Sequence, residues 1–303
     1  MNTMKRCFFL LVCAAALLAT LSSCQPNVEV YNPKCKISKI WYRSEVGDPA
    51  EVYQYDKKGM LTNITIDSVE TYDFTYNKDK TVARVVHVGD KYTETIDMTY
   101  DDDGLIKKMT YSMDDTVRQE AEFTRDEETA RIKHVEETYD KSFFDRYYIM
   151  YKSKLYNSYM GNAERICKMV EESGAKGLTL HCSMDIKYYP GKKEKEYKNI
   201  ASIVQRFPDL RQEVTRTFTY DTTTYNPFYG LTYAYAGFAG YYVNNKATEE
   251  EIVRTDGIVT RQVSYTYKYE GEHFLNDKRY PRQFITISSE NYIPIRTYIL
   301  YAK

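Results

Sequence analysis

Tyr55-Asp56-Lys57-Lys58-Gly59-Met60-Leu61, Tyr76-Asn77-Lys78-Asp79-Lys80-Thr81-Val82 and Tyr100-Asp101-Asp102-Asp103-Gly104-Leu105-Ile106 are three versions of one phrase. Each closes an alternating segment on an aromatic residue, turns through a short polar run and opens another alternating segment. The Asp or Asn side chain offers local hydrogen bonds that hold such a turn, and Gly59 and Gly104 tolerate positive φ. A weaker fourth copy runs Phe123-Thr124-Arg125-Asp126. The aromatic positions fall 21, 24 and 23 residues apart, and an apolar residue recurs nine positions after each: Ile64, Val85, Met109 and Ile132. A period of this size fits two strands and two turns, so the unit is a β-hairpin and successive hairpins pair side by side as a meander.

Composition points the same way. The chain has 32 tyrosines against 12 phenylalanines and one tryptophan. Tyrosine suits a pleated surface because its ring covers neighbours while its hydroxyl stays polar. Threonine alternates with it in Thr71-Tyr72-Asp73-Phe74-Thr75-Tyr76 and Tyr265-Thr266-Tyr267-Lys268-Tyr269, and alternation of period two assigns one set of side chains to each face. The expected fold is all-β: an antiparallel β-meander of Tyr-rich hairpins in a strongly twisted sheet or open, barrel-like form, following a cleaved lipoprotein signal peptide.

The leader carries that last expectation. Lys5 and Arg6 precede an apolar run from Cys7 to Leu21, shorter than the roughly 20 residues of a membrane-spanning helix. It closes on Leu21-Ser22-Ser23-Cys24, which resembles the lipobox of bacterial lipoproteins, where acyl chains such as palmitate are attached to the cysteine. An ordinary cleaved signal and an uncleaved anchor are the alternatives; no stop-transfer pattern supports the second. Two or three acyl chains hold a protein on a membrane far more firmly than one. The expected organisation is a signal peptide over 1–23, acylated Cys24 with a flexible tether over 24–35, and one β domain over 36–303.

Without Lys5 and Arg6 the chain stays slightly acidic, since the whole sequence has 42 basic and 43 acidic residues. No basic surplus suggests nucleic acid. Of six cysteines, Cys35, Cys167 and Cys182 remain once the leader is cut and Cys24 acylated. A Cys167–Cys182 disulfide and buried free thiols are both open. Beyond Asp140 the pattern blurs. Phe143 to Tyr159 reads as strand, and Asn162 to Gly174 as either helix or strand. Leu178 to Tyr189, Glu213 to Tyr220, Ile258 to Tyr269, Phe284 to Ser288 and Ile295 to Tyr301 read as strands.

Signals of chemistry are thin. There is no Gly-x-Ser-x-Gly elbow, His-Glu-x-x-His pair, phosphate-binding glycine loop or Cys-x-x-Cys. His87, His134, His181 and His273 are scattered. Asp101-Asp102-Asp103-Gly104 hints at calcium, but a helix–loop–helix site needs a Glu where Ser112 stands, so a solvated turn is the reading. Asp114-Asp115 and Glu136-Glu137 are too ordinary among 43 acids to nominate as a glycosidase pair. No catalytic residue, metal or cofactor is expected.

One segment is distinctive. Residues 225–243 lack any charge and carry Tyr225, Phe228, Tyr229, Tyr233, Tyr235, Phe238, Tyr241 and Tyr242, interrupted by Gly230, Gly237 and Gly240. It reads either as a ligand or partner contact on a loop, or as a loop folded onto the sheet to close the core; the second is preferred.

The Tyr-Asp-x-x-Gly turns, together with Asn226-Pro227-Phe228-Tyr229-Gly230-Leu231 and Tyr280-Pro281-Arg282, resemble a family of Bacteroides-type envelope lipoproteins, a domain family of unknown function described as porin-like in fold. The resemblance covers roughly Lys36 to Lys303; it departs in an enlarged turn between Glu270 and Tyr280 and in a poor match over Lys141 to Arg211. More loosely, the repeats are similar to the tyrosine–aspartate repeats of large bacterial shell-forming proteins. What the resemblance implies is a fold and an address. A membrane-spanning pore is disfavoured by charges on both faces of most strands, such as Arg84, His87, Lys107, Lys108, Glu120 and Glu122. The expected protein is a non-enzymatic, lipid-anchored envelope protein with a structural or protein-interaction role; the alternative is a lipoprotein binding a glycan, lipid or small ligand through an aromatic surface. Its expected partners are the membrane, through acyl chains on Cys24, and an envelope protein or glycan. Export to the cell surface resembles a signal of acidic residues directly after the cysteine, and Gln25-Pro26-Asn27-Val28-Glu29 is poor in them. The expected location is the outer membrane, with the periplasmic side favoured over the cell surface.

Overall fold

The computed structural model describes residues 29–88, 92–140, 179–190, 199–231, 237–269, 276, 279–290 and 292–302. Expectations for 141–178, including Cys167, lie outside these residues, as do Cys24, Tyr233, Tyr235 and His273. Sixteen strands are found among the described residues: β1 (Ile37–Tyr42), β2 (Glu51–Tyr55), β3 (Leu61–Ile66), β4 (Glu70–Tyr76), β5 (Val82–Val88), β6 (Thr93–Tyr100), β7 (Ile106–Met113), β8 (Thr116–Arg125), β9 (Ile132–Tyr139), β10 (Leu180–Tyr188), β11 (Ile200–Phe207), β12 (Gln212–Tyr225), β13 (Asn244–Thr255), β14 (Ile258–Lys268), β15 (Gln283–Ser288) and β16 (Ile295–Tyr301). Each pairs antiparallel with its neighbours in sequence, and β1 pairs with β16, so the expected barrel-like sheet is a closed barrel. β11 and β13 are strands that the hydrophobic pattern does not announce.

Strand alternation sorts the side chains sharply. Most inward positions are apolar: Ile64 on β3, Val85 on β5, Met109 on β7 and Ile132 on β9, the ninth-position residues of the four repeats, are all buried. They belong to one continuous core that takes residues from every part of the sheet, from Ile37 to Ile299. Outward positions carry charge and hydroxyls, paired across adjacent strands. Asn63 donates to Asp73 at 2.8 Å, Arg84 meets Asp97 at 2.5 Å, and Lys108 meets Glu120 at 2.6 Å. A longer chain of pairs crosses β9 to β13: His134–Asp185 (2.7 Å), Asp185–Arg206 (2.5 Å), Arg206–Glu213 (3.3 Å) and Glu213–Arg254 (3.5 Å).

The repeated turns all fall on one rim, here the proximal rim, together with the residues that lead into β1. In the first three, the Asp or Asn backbone N–H closes the turn, Asp56 to Met60 O, Asn77 to Thr81 O and Asp101 to Leu105 O, each at 2.9 Å. Asp101 Oδ1 then accepts the amides of Asp103 (3.1 Å) and Leu105 (2.9 Å), so Asp101 serves the turn. Gly59 and Gly104 have φ of 78° and 73°. The opposite, distal rim carries the β1–β2, β3–β4, β7–β8, β11–β12, β13–β14 and β15–β16 connections.

Candidate functional site

A β-bulge precedes the last residue of the repeat in every unit: the register shifts between Gln54 and Tyr55, Thr75 and Tyr76, Thr99 and Tyr100, and Thr124 and Arg125. The same shift recurs before Tyr188 and Tyr220. A bulge re-aims the side chain that follows it. Here it leans the tyrosine over the preceding strand, where the hydroxyl donates to the first carbonyl of that strand: Tyr55 to Ile37 O (2.7 Å), Tyr76 to Leu61 O (2.5 Å), Tyr100 to Val82 O (2.7 Å) and Tyr220 to Ile200 O (2.8 Å). These bonds satisfy carbonyls where the ladder ends, at the proximal rim.

The fourth unit breaks the rule in an informative way. Its slot residue is Arg125, two positions beyond the aromatic Phe123 that the sequence suggests. Arg125 Nη2 still reaches the first carbonyl of the preceding strand, Ile106 O, at 3.5 Å. The same nitrogen also meets Glu29 Oε1 at 2.5 Å. Glu29 is buried, accepts the Tyr241 hydroxyl at 2.9 Å and the Ile106 amide at 3.4 Å, and so ties the N-terminal segment to the barrel. Burial pushes the Glu29 carboxyl up, and the Arg125 guanidinium opposes that shift. Tyr31 and Cys35 are buried too, so the part of the expected tether from Glu29 onward is packed against the rim.

The aromatic segment closes the same rim. Phe228, Phe238, Tyr241 and Tyr242 are buried, Tyr229 is half-buried, and Tyr225 alone of the described candidates is exposed, at 41%. Phe228, Phe238, Tyr241 and Tyr242 are therefore not displayed on the outer surface. Phe228, Phe238 and Tyr242 fill the proximal mouth, while Tyr241 grips Glu29. Two glycines permit the packing. A Cβ on Gly230 (φ 81°) would stand 2.7 Å from Val30 O, and one on Gly240 would stand 2.1 Å from Leu231 O. Tyr31 adds a hydroxyl bond to Pro227 O at 3.2 Å.

Inside the barrel, tyrosine hydroxyls answer buried carboxylates. Tyr42 and Tyr53 donate to Glu51 (2.7 and 2.8 Å), Tyr111 to Glu94 (3.0 Å), Tyr139 to Glu137 and Tyr267 to Glu249 (3.1 Å). His87 lies between Glu94 (Nδ1, 2.8 Å) and Glu70 (Nε2, 2.5 Å). Lys246 is wholly buried, 2.6 Å from Glu249, with Phe218, Tyr242 and Tyr267 rings around its ammonium at 5.6, 5.9 and 4.8 Å. Burial pushes this ammonium below its ordinary range, against the pull of Glu249.

The other sequence candidates do not converge. Glu136 faces outward on His134 while Glu137 faces inward on Tyr139. Asp114 and Asp115 form the β7–β8 turn with φ of 48° and 60°. His181 pairs outward with Asp209 at 3.1 Å. Cys182 is a buried free thiol that accepts a bond from Gln205 Nε2 at 3.3 Å, and Cys35 is likewise free. Among the described residues no group of His, Cys, Asp or Glu is arranged to hold a metal.

No family model matches the chain, and no curated protein matches it. Solved structures do. A porin-like protein from Bacteroides vulgatus superposes with a TM-score of 0.50 at 10% identity, over 89% of this chain and 99% of that one. A porin-like protein from Bacteroides uniformis gives 0.44 at 12% identity, over 90% and 100%. The first likeness supports the barrel architecture. The side-chain pattern described above is this chain's own, and it inverts the apolar-out arrangement of a membrane-spanning barrel.

Proposed function

We propose that this chain is a lipid-anchored cell-envelope protein whose barrel stands in water on the membrane surface and serves protein interaction or envelope structure. The carrying observation is the Glu29–Arg125–Tyr241 dock. Only residues 25–28 separate Cys24 from Glu29, and five residue steps of extended chain reach at most about 17 Å. An acyl group on Cys24 therefore holds the proximal rim against the bilayer and turns the distal rim away from it. The rim closed by aromatic packing is the one facing lipid headgroups, and the charged outer wall stays solvated. This arrangement favours interaction over ligand binding, because most of the aromatic segment is spent on closing the mouth.

The test is metabolic labelling with an alkyne analogue of palmitate in a bacterial host. The wild-type chain is expected to carry the label and Cys24→Ala to lose it. An unlabelled wild-type chain in the membrane fraction would refute the anchoring.

A further inference from the structure

The wall around the seam, where β1 meets β16, places no acid on the outside of the barrel. Residues 264–268 of β14, together with β15, β16, β1 and β2, hold one acidic residue, Glu51, and it is buried and faces in. Elsewhere on the wall cations are matched by carboxylates, as in Arg84–Asp97, Lys108–Glu120 and Arg206–Asp185. At the seam, Lys39, Arg43, Lys268 and Arg296 have no carboxylate partner among the described residues.

Register arranges the outward side chains in three rows that run across the strands. Ile40 on β1, Thr297 and Ile299 on β16, and Phe284 and Thr286 on β15 are buried, so their neighbours point out. The central row is Gln283–Tyr298–Trp41, opposed across β15, β16 and β1. On its distal side Ile285 faces Arg296, and the Arg43 amide donates to Arg296 O at 2.7 Å. On its proximal side Leu300 faces Lys39, which faces Val52. Trp41 and Tyr298 are half-buried, and neither ring meets another ring or a cation among the described residues. The Trp41 indole N–H donates to Gly47 O at 3.1 Å, which restrains that ring. Two neighbouring rings with cations on both sides match a chain of anionic sugars. The C–H face of a sugar ring stacks on an aromatic ring, and carboxylate or phosphate groups at its edge pair with Arg and Lys.

We propose that this row binds an anionic polysaccharide, with sugar rings on Trp41 and Tyr298 and carboxylate or phosphate groups on Lys39, Arg43 and Arg296. An anionic bilayer is the competing occupant. Glu29 meets Ile106 on β7 and Arg125 on β8, half-way round the barrel from the seam. Anchoring at Cys24 draws that side, rather than the seam, towards lipid; this choice rests on the anchoring proposed above. The row itself does not.

Trp41 is the only tryptophan in the chain, so its fluorescence reports this site alone. The full chain in mild detergent is titrated with polygalacturonate, phosphorylated dextran, methyl-esterified polygalacturonate and polyglutamate. At least one of the two anionic glycans is expected to change Trp41 emission and to bind about tenfold more tightly than the ester or polyglutamate, with affinity falling as salt rises. Lys39→Glu with Arg296→Glu is expected to weaken that binding about tenfold or more. Tyr298→Ala is expected to weaken it without altering the charge. The melting temperature stays within a few degrees in each variant, because the replaced side chains face out. Unchanged emission with both anionic glycans at millimolar sugar would overturn the proposal, as would equally tight binding of polyglutamate. Tighter binding of the Cys24→Ala chain to phosphatidylglycerol vesicles than to either glycan would overturn the choice of occupant. The titration reads the row whether or not Cys24 proves to be acylated.

Discussion

Arg125 occupies the place of a tyrosine, and the exchange changes what that place does. In the other units a neutral hydroxyl caps a carbonyl; here a cation caps the carbonyl and also holds a buried carboxylate. Breaking such a pair from one side strands a buried charge and costs about 3 kcal/mol. Arg125→Tyr restores the repeat yet is expected to lose that amount in denaturant unfolding, while adding Glu29→Gln should recover most of it; a stable single variant would contradict the dock. Gly240→Ala is expected to cost about 1–3 kcal/mol, because its Cβ meets main chain rather than a movable side chain. On the outer wall, desolvation lowers the His134 pKa, but hydrogen bonds to Glu136 and Asp185 outweigh it and the net shift is upward. A raised pKa means stabilisation that is present below the unfolded value of about 6.5 and lost as pH rises through the folded value. The pair is exposed, so the effect is about 0.5 kcal/mol or less. Wild-type melting temperature should therefore decline slightly as pH rises from 6 to 8, and His134→Gln should remove that decline.

Hairpins are the unit of this fold, and the bulge that ends each one fixes where its tyrosine goes. Tyr76→Phe keeps the ring and loses one hydroxyl bond to Leu61 O, an expected cost of about 1 kcal/mol readable by chemical denaturation. The hairpins were legible in the sequence because turn chemistry and alternation agree there: Asp56, Asp101 and the glycines mark the turns, and Ile64, Val85, Met109 and Ile132 mark the core face. The slot in the fourth unit was not, since Phe123 supplies the expected aromatic while Arg125 occupies the position. β13 escaped notice for a physical reason. Its inward residues Lys246, Glu249 and Glu251 are buried charges met by Arg261, Tyr267 and one another, so hydrophobic alternation is missing where the strand is most enclosed. β11 is similar, with Gln205 facing inward on Cys182 and Arg216. The aromatic segment was legible as uncharged and glycine-broken; that Tyr241 holds Glu29, far away in sequence, was not.

The whole molecule is a barrel with its solvent preference reversed relative to one that spans a membrane. Apolar side chains and tyrosine-bound carboxylates fill the inside, and ion pairs cover the outside. The excess of tyrosine follows from this interior, which needs rings to pack and hydroxyls to answer Glu29, Glu51, Glu94, Glu137 and Glu249. An outer wall carrying Arg84, Asp97, Lys108, Glu120, Asp185 and Arg206 has no place in hydrocarbon. On the proposed reading, membrane attachment falls to acyl chains on Cys24, five positions before Glu29. The most direct test is alkaline carbonate extraction of membranes from cells making the wild-type chain with its own leader, or the Cys24→Ala chain behind a leader that an ordinary signal peptidase removes. The account predicts that the wild type stays with the membrane, while the variant is recovered from the aqueous phase without detergent and melts cooperatively. A Cys24→Ala chain that remains in the carbonate-washed membrane would contradict it, because only a barrel embedded in lipid stays there without acyl chains.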